Sequence, residues 1–443
     1  MECLSIRGPA PPLIGRLRVP GDKSITHRAI LLGALADGTT EIRGYLTGDD
    51  CWRTAAICRA LGVEVEGWGG AALRVHGKGL RGLREAEGVL DAGNSGTSLR
   101  LFSGVLAAQP FLSILTGDAS LCRRPMGRII QPLRQMGASF QGRAGDRYPP
   151  LAIRGGPLRG IRHESPVASA QVKSALLLAG LYAEGPTTVV EPAPSRDHTE
   201  RMLRGFGHPV EVAGCTVTVA PARSLAAVPV EVPGDFSSAA FFLVAACLVP
   251  GSRLTVAGVG LNPTRTGLLE VLRAMGAAIE VQGSREVCGE PVGDLLVAAG
   301  PLRGVSVGGA LIPRLIDEIP ILAVAAAAAA GETEIRDAGE LRVKESDRIA
   351  ALAAELGRLG ADVAERPDGL TIRGGRPLAG TSCASRGDHR VAMALAIAAL
   401  VARGGTRIAD SACIRTSFPD FVPLLRTVAP AADPQVEAED QNA

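Results

Sequence analysis

Aromatic residues are scarce in this chain, at 3% of 443 residues. A core must therefore be assembled from Ala, Leu, Val and Ile. Net charge is almost absent too, at +2. That balance excludes a general pull on nucleic acid or anionic lipid and leaves any anion site to local clusters. No C-x-x-C pair occurs among the nine cysteines, so neither a disulfide framework nor a zinc site is expected, and a reducing cytosol is. Long hydrophobic runs are missing. The longest, residues 319–330 and 391–402, are about a dozen residues each, too short for a bilayer and suited to buried helices. The first residues, MECLSIRGPAPPLIGRL, carry no signal-peptide-like apolar stretch.

What is present is repetition. V-P-G-D-K-S starts at Val19 and V-P-G-D-F-S at Val232. The second copy divides the chain after the first into near-equal halves, and a chain of this length favours two domains. A finer period lies beneath. An apolar helical run leads to a Gly, a short alternating strand, a polar loop and a second helix ending L-G or M-G before another strand. This order starts near Ser24, Gly96 and Ser169, and again at 239, 320 and 391. Six units of roughly 70 residues result, three per half. Each first helix is apolar nearly all round and should be buried. Each unit is a βαβ-like piece that cannot bury its own faces, so three together would make a domain. Pro-Gly is turn chemistry, which places the two V-P-G-D segments at the crossovers.

Polar residues that break this pattern are the candidates for chemistry. Lys23, Ser24 and Arg28 share a helix start in G-D-K-S-I-T-H-R, where free N–H groups suit an anion. G-N-S-G-T-S at 93–98 opens an apolar helix, with Asn94 and Thr97 as side-chain donors; an ordinary capped turn fits it as well. Adjacent arginines in S-L-C-R-R-P-M at 120–126 are most simply solvated. E-L-R-V-K-E-S-D-R at 340–348 is the densest charge run, with Lys344 and Arg348 four apart and Glu345 between them. Asp317 and Asp388 precede apolar helices and suit capping. Arg390 sits where the helix dipole opposes it, which points to an anionic ligand. All these pieces fall at equivalent places in the repeats, so each domain would aim charged helix ends at a shared cleft. The ligand would be small, with several negative groups. Lys344, Glu345 and Asp317 would supply acid–base groups in that field.

P-G-D-K-S-x-x-H-R, G-N-S-G-T-S-x-R, R-R-P-M, S-A-Q-V-K-S-A, I-D-E-I-P, L-R-V-K-E-S-D-R, G-D-H-R-x-A-M-A and S-F-P-D-F stand in an order that resembles the 5-enolpyruvylshikimate-3-phosphate (EPSP) synthase family, from about Leu13 to Leu425. The resemblance implies an α/β fold (α+β by some schemes) of two similar domains. Each would hold three βαβαββ repeats around buried helices, an inside-out α/β barrel. The first domain would be 21–233 and the second 1–20 plus 234–430, with 431–443 a disordered polar tail. It implies transfer of the enolpyruvyl group of phosphoenolpyruvate to the 5-hydroxyl of shikimate-3-phosphate, with release of phosphate through a tetrahedral ketal.

Residue roles follow from the same resemblance. Lys23, Ser24, Arg28, Ser169, Gln171, Arg196, Asp317 and Lys344 resemble the shikimate-3-phosphate set. Lys23, Asn94, Gly96, Arg124, Gln171, Arg348 and Arg390 resemble the phosphoenolpyruvate set. Asp317 resembles the base for the 5-hydroxyl, and Lys344 and Glu345 the groups that protonate the methylene. Lys23 touches both substrates. No metal and no cofactor are expected. The partners would be the two small substrates, with no nucleic acid and no membrane, and the chain a cytoplasmic monomer. Glyphosate, which competes with phosphoenolpyruvate, is an inhibitor in this family. A departure is I-R-T-S-F-P, where Thr416 stands at the place of a Lys in some members. Two alternatives are the sister transferase acting on UDP-N-acetylglucosamine and a non-catalytic anion-binding protein of the same fold. Ala119 stands where the sister enzyme carries a reactive Cys.

Overall fold

In the computed structural model, residues 2–438 are described. The chain divides into two compact units. Residues 21–232 with 287–290 form one, and the remainder forms the other. The architecture is repeated α/β, as the sequence pattern indicates. Six four-stranded sheets are present among the described residues, and each combines one parallel pair with antiparallel neighbours. In one, Val230–Glu231 runs parallel to Asp37–Arg43, which pairs antiparallel with Ala72–Lys78, which in turn pairs antiparallel with Glu64–Glu66.

The apolar helix of each repeat becomes the core. Lys23–Leu35, Gly96–Leu106 and Ala170–Gly180 fill the first unit, and Phe236–Leu248, Ile319–Ala328 and His389–Ala399 the second. Phe236 through Cys247 are buried without a break, as expected of a helix with no polar face. Five of these helices start with a short polar side chain that accepts an N–H of the first turn: Asp22, Ser95, Ser169, Asp235 and Asp388. Such caps satisfy donors that a buried helix start would otherwise leave orphaned. Ile319–Ala328 instead carries Pro320 in its first turn, where the missing N–H costs nothing.

The helix ends repeat as well. A Cβ on Gly77 would lie 2.1 Å from the Ala36 carbonyl, and one on Gly374 2.1 Å from the Ala329 carbonyl. At these equivalent places the outgoing strand runs directly beneath the last carbonyls of a core helix, and only glycine fits.

The repeated hexapeptide has a topological role. Ile14–Leu17 pairs parallel with Arg253–Gly260 in the second unit. Val230–Glu231 pairs with Asp37–Arg43 in the first. Each V-P-G-D therefore follows a strand of one unit and opens the first core helix of the other. Asp22 accepts from Ile25 N–H and Asp235 from Ser237 and Ser238 N–H. The next residue differs. Phe236 is buried, while Lys23 is partly exposed and carries an ion pair.

One expectation is corrected. Residues 431–438 belong to the fold rather than to a disordered tail. Gln435–Ala438 pairs antiparallel with Glu2–Gly8, completing the sheet of Ser382–Ala384 and Gly404–Ala409. Backbone pairing at a sheet edge needs no apolar side chains, and Ala429 and Ala432 anchor the approach by burial. Residues 439–443 lie outside the described residues.

Candidate active site

In the first unit the candidates gather at the starts of its three core helices. Lys23 Nζ lies 3.1 Å from Asp50 Oδ2. Arg28, one turn on, points inward and is 3% exposed. Its Nε donates to Thr199 Oγ1 at 2.6 Å, Nη2 to Ser174 Oγ at 2.8 Å and Nη1 to the Ser24 carbonyl at 2.9 Å. Arg28 thus ties the first core helix to the third. His27, between the two cations, bonds Thr54 Oγ1 at 2.6 Å. Its burial, then Lys23 and Arg28, hold its pKa well below the usual histidine range, so the ring is neutral at pH 7.

The Gly93–Ser98 loop proves to be built around two arginines. Arg124 Nη2 donates to Asn94 Oδ1 at 2.7 Å and to Ser120 Oγ at 3.3 Å, and the residue is 7% exposed. The solvated reading of the Arg-Arg pair fails for Arg124. Asn94 Nδ2 donates in turn to Asp118. Gly96 leaves the space: a Cβ there would sit 2.8 Å from Arg100 Nη1 and 3.4 Å from Arg124 Nη1. Arg100 Nη1 donates to Gln171 Oε1 at 2.6 Å, and Gln171 Nε2 to Thr97 Oγ1 at 3.0 Å. Asn94, Gly96, Arg124 and Gln171 are therefore neighbours. Ser169 caps the third core helix, and Arg196 follows Ser195 in the loop beside it.

In the second unit the candidates converge on one buried guanidinium. Arg348, 1% exposed, donates from Nε to Asp388 Oδ2 at 2.8 Å and from Nη2 to Glu345 Oε2 at 2.7 Å. Its Nη1 reaches Asp317 Oδ1 at 3.4 Å. Lys344 Nζ approaches the same oxygen at 3.7 Å. Arg390 Nη1 donates to the Asp317 carbonyl at 3.0 Å, and the guanidinium also lies 4.0 Å from Asp317 Oδ2 and from Glu318 Oε1. Lys344, Arg348 and Arg390 thus alternate with Asp317, Glu318, Glu345 and Asp388. Burial alone would raise the Asp388 carboxyl pKa, but Arg348 outweighs it and holds the group below the usual carboxylate range. Burial likewise opposes the Arg348 charge, and Asp388, Glu345 and Asp317 overcome it. Cations interleaved in this way with carboxylates can orient an anion and move protons beside it.

Sequence reasoning passed over several partners. Asp50 and Arg100 lie in unremarkable context, though Arg100 ends the quoted loop motif. Asp388, a cap by its place in the sequence, is also the principal partner of Arg348. Arg415 pairs with Glu2 at 2.6 Å on the exposed rim, with Thr416 at the end of the same turn. Of possible metal clusters among the described residues, Glu64, Glu66 and His76 bring ligand atoms within 4.8 Å of one another on the outer face of a sheet, and none of them is a candidate site residue.

Repeat architecture and charged helix starts together define a class: a two-unit α/β enzyme that handles small anions. The family model for EPSP synthase (3-phosphoshikimate 1-carboxyvinyltransferase) matches residues 8–425, and the chain belongs to that family. A 3-phosphoshikimate 1-carboxyvinyltransferase of Desulforudis audaxviator is 58% identical over 95% of this chain and 98% of its own length. One of Gloeobacter violaceus is 59% identical, also over 95% and 98%. A solved structure of EPSP synthase from Acinetobacter baumannii superposes with a TM-score of 0.88 at 44% identity, covering 99% of this chain and all of that one.

Proposed function

We propose that this enzyme transfers the enolpyruvyl group of phosphoenolpyruvate to the 5-hydroxyl of shikimate-3-phosphate and releases phosphate. The observation that carries the reading is the cluster of Asp317, Lys344, Glu345, Arg348 and Arg390, in which carboxylates and cations interleave at ion-pair distance. Lys344 and Glu345 deliver a proton to the methylene carbon of phosphoenolpyruvate, leaving its central carbon cationic. Asp317 takes the proton of the 5-hydroxyl as that oxygen bonds the same carbon. A methyl proton of the tetrahedral ketal then returns to the Lys344–Glu345 pair as the C–O bond to phosphate breaks, the phosphate leaves with the proton taken up by Asp317, and the enol ether is restored.

The remaining residues bind and align. Lys23, Ser24, Ser169, Gln171 and Arg196 hold shikimate-3-phosphate, with Asp317 and Lys344 at the reacting hydroxyl. Arg28 belongs to the same set, its guanidinium oriented by Ser174, Thr199 and the Ser24 carbonyl. Lys23, Asn94, Gly96, Arg124, Gln171, Arg348 and Arg390 hold phosphoenolpyruvate. Positioning and pre-placed charge supply most of the acceleration. No helix among the described residues is long and apolar enough to cross a membrane; a cytoplasmic monomer is our reading of the setting.

Phosphate release tests the proposal. Mixing enzyme, phosphoenolpyruvate and shikimate-3-phosphate should liberate one phosphate per product. Release with UDP-N-acetylglucosamine instead would favour the sister reaction, and release with neither acceptor would remove the transferase reading.

A further inference from the structure

The first unit contains a buried charge cluster that the proposed chemistry does not use. Lys173, the one charged residue of the third core helix, has Nζ 2.8 Å from Glu200 Oε1 and 2.9 Å from Glu191 Oε2. All three side chains are 2–3% exposed. The ammonium also reaches the Ser195 carbonyl at 3.4 Å. Burial alone would lower the lysine pKa, but Glu200 and Glu191 outweigh it and hold the group charged. Glu191 then reaches outward. Its Oε1 accepts the Ser169 N–H at 2.8 Å, and its Oε2 accepts Ser195 Oγ–H at 2.7 Å. One carboxylate therefore ties the start of the helix bearing Ser169 and Gln171 to the loop bearing Arg196.

The cluster's charges are one Lys against two Glu. That sum is negative, so it opposes an anion nearby and cannot be what attracts one. Its value must be geometric. We propose that Glu191, charge-balanced by Lys173, is a positioning residue that fixes Ser169 and Arg196 in one arrangement to receive the phosphate of shikimate-3-phosphate. This rests on the reading of Ser169 and Arg196 as contacts of that substrate. Glu200 touches the lysine but neither loop bond, so it takes no part in the two ties.

The sign of the effect separates geometry from electrostatics. Glu191→Gln removes a negative charge, which by charge alone would tighten anion binding. An amide at that place puts an N–H where Lys173 and Ser195 both need an acceptor, so one tie is lost. Losing a charged hydrogen bond of this kind is expected to raise KM for shikimate-3-phosphate about tenfold or more, with kcat and KM for phosphoenolpyruvate changed far less. Glu191→Asp keeps the charge but shortens the reach and should show the same selective rise. Glu200→Gln loses the same charge as Glu191→Gln while keeping both ties, and should leave KM unchanged or slightly lower. Thermal unfolding of each variant identifies the folded ones, and Glu191→Asp serves if Glu191→Gln does not fold. Equal KM effects in Glu191 and Glu200 variants, or a tighter Glu191→Gln enzyme, would overturn the proposal. Arg196→Ala is the separate control. If it leaves KM for shikimate-3-phosphate unchanged, the assignment of the phosphate contact is what failed.

Discussion

Arg348→Met gives the sharpest test of how the second unit's charges are balanced. The guanidinium is 1% exposed and faces Asp388 at 2.8 Å, Glu345 at 2.7 Å and Asp317 at 3.4 Å. Methionine roughly fills the volume but leaves buried carboxylates without their principal cation. Breaking a buried pair in this way costs about 3–5 kcal/mol, or roughly a 10 °C fall in Tm for a unit of this size.

The pH dependence of that loss should reverse. In the native protein the Asp388 pKa is depressed. Its contribution is present above the unfolded carboxyl value of about 3.9 and fades as pH falls through the folded one. Without Arg348, burial dominates and the folded pKa rises above the unfolded value. The folded state then holds more protons, so stability falls as pH rises through that window. Calorimetry at pH 7.5 and pH 5 should find the gap between native and Arg348→Met protein wide at the first and narrower at the second. A gap under about 1 kcal/mol, or one equal at both pH values, would refute the reasoning.

Further expectations concern the first unit. Lys23→Met should lower kcat/KM by about 10²–10³ or more, the cost of removing a pre-placed donor, with Tm little changed; near-native turnover would contradict its placement. Gly96→Ala should push the Arg100 guanidinium, since the new methyl would lie 2.8 Å from Nη1. The flexible arginine end can yield, so the cost to stability should stay under about 1 kcal/mol. KM for phosphoenolpyruvate and the inhibition constant for glyphosate should both rise, and no change in either would show that Gly96 does not face that ligand. His27, held neutral by burial and by Lys23 and Arg28, should take up a proton by NMR titration only well below the usual histidine range. The unfolded chain binds that proton below about 6.5, so His27 makes stability rise with pH from the lowered folded value up to about that point. Ring titration near 6.5 would contradict the geometry.

Much of this is legible in the sequence. Helix starts are local, so G-D-K-S, G-N-S-G-T-S and R-G-D-H-R could be placed from the residues alone. The parallel pairing of Ile14–Leu17 with Arg253–Gly260 and of Val230–Glu231 with Asp37–Arg43 could not, because pairing between distant segments leaves no mark in either. The same limit hid Asp50 and Glu191, whose meaning lies in partners 27 and 22 positions away. Lys173 did leave a signal, the one cation in a mostly apolar helix, and a buried lysine requires carboxylates somewhere. Arg28 was legible as a cation at a helix start, but not its inward turn onto Ser174 and Thr199. The strand 435–438 was obscured because edge pairing depends on the backbone rather than on composition.

The central claim is bond formation between the central carbon of phosphoenolpyruvate and the 5-oxygen of shikimate-3-phosphate. NMR of a reaction with phosphoenolpyruvate labelled at that carbon tests it most directly. The label should move into an enol ether of shikimate-3-phosphate as inorganic phosphate appears in equal amount. Label that stays in phosphoenolpyruvate, or that enters UDP-N-acetylglucosamine when both acceptors are offered, would contradict the account.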